Sequence, residues 1–206
     1  MFLKNKRIAP ATADADGVCQ TQTPAEAGAL TINGALASGG VATFDIPRHV
    51  SIASVGNDSG RTFTITGTDH LGDTITDTVT GANASSAFSA KNFKTVTGVS
   101  VDDATAGAVT VGSADQLHWT YPVGCEAGNV GFGVMITGTM SATIKATNFN
   151  IMGDDYTEYT ANFRDVKNSN ASFFGSVSIP STAVRVDLKG VGASAVAAIT
   201  LTEEAV

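Results

Sequence analysis

From Arg61 to Gly112 apolar residues take almost every second position, and Thr fills most of the slots between them. The segments are Arg61-Thr-Phe-Thr-Ile-Thr-Gly-Thr-Asp69, Leu71-Gly-Asp-Thr-Ile-Thr-Asp-Thr-Val-Thr80, Phe93-Lys-Thr-Val-Thr-Gly-Val-Ser-Val101 and Ala108-Val-Thr-Val-Gly112. A period of two sends successive side chains to opposite faces of a β-strand. These segments therefore predict half-buried strands with one packed face and one hydroxyl face. Phe63 and Ile65 share the first face; Thr62, Thr64 and Thr66 share the second. Gly67 and Gly72 flank a bend at Asp69-His70-Leu71, and Ile75 and Val79 return on the next strand. The spacing of Phe93, Val96, Val99 and Val101 breaks the period, with Gly98 inside, which predicts a bulge.

The pattern extends, less strictly, over most of the chain. Strands are expected at Ala29–Asn33, at Val41–Ile46 with Pro47 ending that ladder position, and at Val50–Val55. Val130, Phe132, Val134 and Ile136 share a face. Gly131 and Gly133 lie on the other, which predicts a second backbone packed close to it. Further strands are expected at Ala142–Phe149, Phe173–Ile179, Val184–Leu188 and Ala198–Leu201. Asn33-Gly34 and Gly39-Gly40 read as turns because these residues tolerate positive φ. No stretch carries a helical apolar period with caps at both ends. Short strands between Gly-rich turns predict an all-β fold: two tandem antiparallel β-sandwich or barrel-like domains with an extended N-terminal arm. The arm is expected at 1–27, where Pro10, Gly17 and Pro24 interrupt any period, the first domain at 28–114 and the second at 115–206. The boundary is set by a pause in the Thr/Val alternation between Ser113 and Pro122.

Charge narrows the function classes. Only 15% of residues are charged, against about 25% in a typical domain. The net charge is −7, so general nucleic-acid binding, which needs clustered Lys and Arg, is not expected. The one basic cluster is Lys4, Lys6 and Arg7, with no acid before Asp14. It reads either as a solvated tail or as a tether onto an acidic protein surface. On the second reading Lys4, Lys6, Arg7 and Ile8 are the candidate partner contacts of the arm. No run of 18 apolar residues exists, so no membrane association is expected, and Met1–Ile8 lacks the apolar run of a signal peptide.

Candidate chemistry is thin. Cys19 and Cys125 form no Cys-x-x-Cys pair and read as free thiols, with a disulfide between them left open. His49, His70 and His118 belong to no triad motif. Asp69, Asp73 and Asp77 recur every four residues, and Asp102-Asp103 and Asp154-Asp155 are adjacent pairs, but none has the register of a calcium loop. Asp154-Asp155 is the best remaining cation candidate. Asp155 with Glu158 could be drawn as paired glycosidase carboxylates, and Tyr156, Tyr159 and Phe163 beside them as a sugar platform; the simpler reading is core packing. No glycine-rich phosphate loop precedes a helix. No catalytic residue, metal ligand or cofactor is assigned, and the protein reads as a non-enzyme.

The stretch from Thr62 to Gly112 resembles a module of structural proteins from tailed bacteriophages. The matching parts are Thr64 to Asp69, Gly72-Asp73, Thr76 to Gly81, Asn83-Ala84, Lys91 to Val96 and Ala104 to Gly112. More loosely, Ser141-Ala-Thr-Ile-Lys-Ala-Thr147 and Val184 to Val186 are similar to the strands C-terminal to the module in those proteins. The long N-terminal segment departs from the pattern. The resemblance implies a virion component, most directly a capsid decoration (cement) protein. Its expected partners are the major capsid protein and neighbouring copies of itself, as a trimer at local threefold junctions. It would be assembled in the host bacterial cytoplasm and found on the capsid surface. The alternatives are a tail, adaptor or fibre-attachment component, or a glycan-binding β module using Trp119, Tyr121, Tyr156 and Tyr159.

Overall fold

The structure is a computed structural model that describes residues 2–122, 127–147, 164–178, 183–192 and 195–205. Within them every regular element is a strand. In chain order these are β1 (Phe2–Ile8), β2 (Cys19–Gln22), β3 (Gly28–Ala29), β4 (Ala37–Ser38), β5 (Val41–Ser54), β6 (Thr62–Thr68), β7 (Thr74–Thr80), β8 (Ser86–Val101), β9 (Val109–Ser113), β10 (Gln116–Pro122), β11 (Ala127–Thr137), β12 (Ser141–Thr147), β13 (Arg164–Ser169), β14 (Phe173–Ser178), β15 (Ala183–Lys189) and β16 (Val196–Ala205). The ladders of β1 with β16, of β11 with β14 and β16, of β12 with β13 and β15, of β5 with β8 and β9, and of β6 with β7 and β8 are antiparallel, so the protein is all-β with several antiparallel sheets.

The chain forms two compact units, Ala13–Leu117 and Met1–Thr12 with His118–Val206. In the first, one sheet runs β2-β9-β5-β8-β6-β7, with β3 added on β8 and β4 on β5. Alternation puts Phe63, Ile65, Phe93, Val96, Val99 and Val101 into its core. A fully buried Phe or Val side chain stabilises by about 1.5–3 kcal/mol relative to exposure. The irregular spacing before Val101 is resolved by a register shift between Thr66 and Gly67: Gly98 faces Thr66 and Val96 faces Gly67. Thr97 is the extra residue of that bulge, and its hydroxyl donates to the Thr66 carbonyl at 3.3 Å.

Three expectations change in the structure. Residues 1–27 do not form one arm. Phe2–Ile8 is the outer strand of a sheet, laddered to β16 from Phe2↔Glu203 to Ile8↔Ala197. Residues 13–27 are built into the other unit. Val18 and Cys19 are fully buried, Val18 N–H donates to the Val111 carbonyl at 2.9 Å, and Cys19 pairs with Val111. Two apolar side chains that fill a core outweigh the absence of a visible period.

Pro47 does not end its strand. β5 runs through it, and pairing with β8 skips from Thr43 to Arg48, so the missing N–H falls in a gap of the ladder. Asn33-Gly34 turns without positive φ. Glycine is required at 34 for a different reason: a Cβ there would run into the backbone of Asp16 and Gly17. Gly112 is constrained likewise by the backbone of Asp14 and Ala15.

The second unit contains two four-stranded sheets, β1-β16-β11-β14 and β10-β15-β12-β13. Each has one buried apolar face: Val130, Phe132, Val134, Ile199 and Leu201 on the first, Ile144, Val184, Val186 and Leu188 on the second. Two sheets, each with one apolar face, make a sandwich-like arrangement.

Candidate functional site

The four residues read as partner contacts all lie on β1. Their cross-strand partners are Leu201 for Lys4, Ile199 for Lys6, Ala198 for Arg7 and Ala197 for Ile8. Ile8 is 2% exposed, so its side chain belongs to this chain's own core and offers nothing to a partner. Arg7, one residue earlier, is exposed. The basic stretch is therefore an edge strand held by its backbone.

Arg7 borders a surface that the sequence pattern does not single out. On β11 the buried positions Val130, Phe132 and Val134 alternate with Gly131, Gly133 and Met135. Register then aligns three rows across the outward side of the sheet. Met135, Ala198 and Arg7 form the first; Phe174, Gly133, Thr200 and Asn5 the second; Ser176, Gly131, Thr202 and Leu3 the third. Phe174 is 87% exposed and Met135 68%. Phe173 turns the other way and meets Phe132 edge-on, with ring centroids 6.1 Å apart and planes at 75°. The close approach expected at the glycines is real at Gly131, but the Thr202 hydroxyl makes it, and a second backbone does not. These rows carry no carboxylate, in a chain of net charge −7.

The second sheet of the same unit is finished differently. Lys145 Nζ lies 3.0 Å from Asp187 and 3.4 Å from Asp165, and Arg185 Nε lies 2.7 Å from Asp187. Those charges neutralise one another on their own sheet.

The acidic positions weighed for calcium serve the backbone. Asp69 Oδ1 accepts from the Leu71 and Asp73 N–H groups at 2.8 and 3.1 Å, shaping the bend. Asp77 Oδ2 accepts from Ala90 and Lys91 N–H at 2.7 and 3.0 Å, and Lys91 Nζ donates to the Thr76 carbonyl at 2.7 Å. These contacts cover the outer edge of β7, the strand at that end of its sheet. Asp102 accepts from Thr62 N–H at 3.0 Å, and Asp103 pairs with Arg61 at 3.3 Å. Among the described residues no group of three or more His, Cys, Asp or Glu is placed to hold a metal. Asp154, Asp155, Tyr156, Glu158, Tyr159, Phe163 and Cys125 lie outside the described residues. The described strand β10 carries the backbone of Trp119 and Tyr121.

His49 Nδ1 lies 2.5 Å from the Ser89 carbonyl, His70 is exposed in the bend and His118 is buried. Cys19 is a free thiol, and burial pushes its pKa from 9.0 up to about 12. It is protonated and unreactive at neutral pH. No described helix is long and apolar enough to cross a membrane.

Phe174 was within reach of the sequence. Two consecutive large apolar residues in a strand must face opposite sides, so one of Phe173 and Phe174 is exposed wherever only one face is covered. Met135 continues the Gly131, Gly133 positions and falls under the same rule.

No protein-family model matches the chain, and no curated protein matches it. Among solved structures, one from the infectious bursal disease virus Gt strain aligns over 98% of this chain and 70% of its own, at 12% identity and a TM-score of 0.21. A score that low assigns no shared fold and carries nothing about function.

Proposed function

We propose that this chain is a structural protein of a tailed-bacteriophage virion, a capsid decoration protein that grips major capsid subunits and neighbouring copies of itself and turns over no substrate. The resemblance over Thr62–Gly112 supports the class. The observation that carries the contact surface is the outer side of the β1-β16-β11-β14 sheet, where Phe174 and Met135 stand out of three rows that hold no carboxylate. The backbone under these side chains is already laddered, so docking costs the ordering of the side chains, about 0.5–1.5 kcal/mol each, and not of the chain. Burying each would contribute about 1.5–3 kcal/mol to association. Arg7 on the outer strand would meet an acidic neighbour, at a cost in affinity when salt is raised.

The test is reconstitution. Particles lacking the protein are mixed with wild type or with Phe174→Ser, and bound copies are located by cryo-electron microscopy. Wild type should sit on the head at subunit junctions and raise the heat resistance of the capsid. Phe174→Ser should bind at least about tenfold more weakly, the equivalent of about 1.4 kcal/mol. Copies found on the tail would overturn head decoration and leave the virion assignment standing. An unaltered affinity for Phe174→Ser would remove this face from the interface.

A further inference from the structure

Three loops of the Ala13–Leu117 unit meet at one end of its sheet, and Asp58 ties them together. Its N–H donates to the Ala82 carbonyl at 2.9 Å, its carbonyl accepts from Arg61 N–H at 2.9 Å, and its Oδ1 accepts from Ala106 N–H at 2.6 Å. Around it Ala84 N–H donates to the Gly56 carbonyl at 2.8 Å, and Ser54 N–H to the Ser85 carbonyl at 2.9 Å. The loops after β5, β7 and β8 are thus cross-linked by backbone bonds.

Asp58 is 0% exposed. Its second carboxylate oxygen, Oδ2, is buried and receives no hydrogen bond from the described residues. Ser54 Oγ, at the end of β5 where the first of these loops begins and 5% exposed, likewise has no hydrogen-bond partner among the described residues. The nearest basic residue in the chain, Arg61, directs its side chain elsewhere: Nε donates to the Ala104 carbonyl at 2.6 Å and Nη1 pairs with Asp103 at 3.3 Å. A carboxylate withdrawn from water and facing no cation is costly, and native proteins supply such groups with a water or an ion. A water would satisfy the lone pairs and leave the charge unanswered.

We infer that this loop junction binds a hard cation, with Asp58 Oδ2 as the charged ligand, Ser54 Oγ as a neutral one, and backbone carbonyls of the converging loops completing an all-oxygen shell. The oxygen-only donor set selects calcium or sodium over transition metals. One carboxylate makes the site weak, with a dissociation constant of about 10⁻⁴–10⁻³ M. A bound ion would add a further clamp to three loops already joined by backbone bonds, by the Asp58 Oδ1 bond to Ala106 N–H and by the Arg61 contacts to Ala104 and Asp103. The site lies in the other unit from the apolar sheet face and stands apart from the virion reading.

The test is thermal melting of the full chain in CaCl2, NaCl and choline chloride at matched ionic strength, with native mass spectrometry to count bound ions. For wild type, calcium or sodium at ten times the dissociation constant should raise Tm by about 5 °C over choline. One ion per chain should be seen. Asp58→Asn should lose both effects, and Ser54→Ala should shift the titration to several-fold higher ion concentration. Identical wild-type melts in all three salts with no bound ion would overturn the site and leave a buried water. An equal rise in Asp58→Asn would also overturn it, as screening of the acidic surface. If Asp58→Asn does not fold, the wild-type titration and Ser54→Ala still decide.

Discussion

Two exposed sheet faces of this protein are finished in opposite ways. On the β6–β7 hairpin eight threonines stand in four direct pairs: Thr62 with Thr80, Thr64 with Thr78, Thr66 with Thr76 and Thr68 with Thr74. Hydroxyls and methyls alternate across that face, Thr68 and Thr95 hydroxyls meet at 2.7 Å, and the outer edge is covered by the chain's own Ala90 and Lys91. It is complete in water. On the β11–β14 pair glycines take the outward positions, and Phe174 and Met135 rise beside them without cover. The first face presents hydroxyls to water; the second presents two large apolar side chains in neighbouring rows. The contrast is what supports placing the proposed contact surface on the second sheet, since both faces belong to antiparallel ladders and differ in what the ladders present.

The comparison breaks most visibly by exchanging where an aromatic ring is lost. Phe63→Ala, beneath the threonine face, should cost about 3–5 kcal/mol, read as a fall in the denaturation midpoint at unchanged m-value. Phe174→Ser should stay within about 0.5 kcal/mol of wild type by the same measurement. Comparable losses at both positions would mean that Phe174 already packs against its own chain.

An intermediate effect is expected from Cys19, which sits in the core under the hairpin unit. Its folded pKa is raised above the unfolded one, so its stabilisation is complete below about pH 9 and is lost as pH climbs towards about 12. Urea titrations of wild type and Cys19→Ala should therefore converge as pH rises through that window. A constant gap would show that the thiolate is not disfavoured by the fold.

The smallest stability change, and the sharpest test of the contrast, is to give the hairpin an apolar coat. Thr64→Val with Thr78→Val replaces one facing pair. Stability should move by no more than about 0.5 kcal/mol, because Val suits a strand as well as Thr does. Sedimentation should now show self-association through a face where wild type has none. A variant that stays as dispersed as wild type would mean that apolar exposure on a sheet is insufficient for docking here.

Most of the first unit could be read from the chain. Alternation at 62–101 named the buried residues correctly, and Gly98 announced the bulge that lets Val96 and Val99 both reach the core. Periodicity failed where the determinant was contact with a distant backbone. Gly34 and Gly112 look like ordinary turn and strand glycines, yet each is there because the Asp14–Gly17 strap crosses it. Val18 and Cys19 carry no period, and only the strand waiting at Val111 makes them core. Likewise Asp58 is one acid among many along the chain, and its burial comes from three loops, distant in sequence, that bond to one another around it.

The amino-acid order settles the side of each strand on which a residue lies, because a pleated backbone alternates regardless of what surrounds it. That was enough for an all-β protein, for its hydroxyl-rich hairpin and for the division of Phe173 from Phe174 between two faces. Which face meets water is a different matter. It depends on strands far apart in the chain finding one another: β1 on β16, β2 on β9, β14 on β11. Those pairings turned an expected arm into sheet and Ile8 into core, and left Phe174 and Met135 in the open.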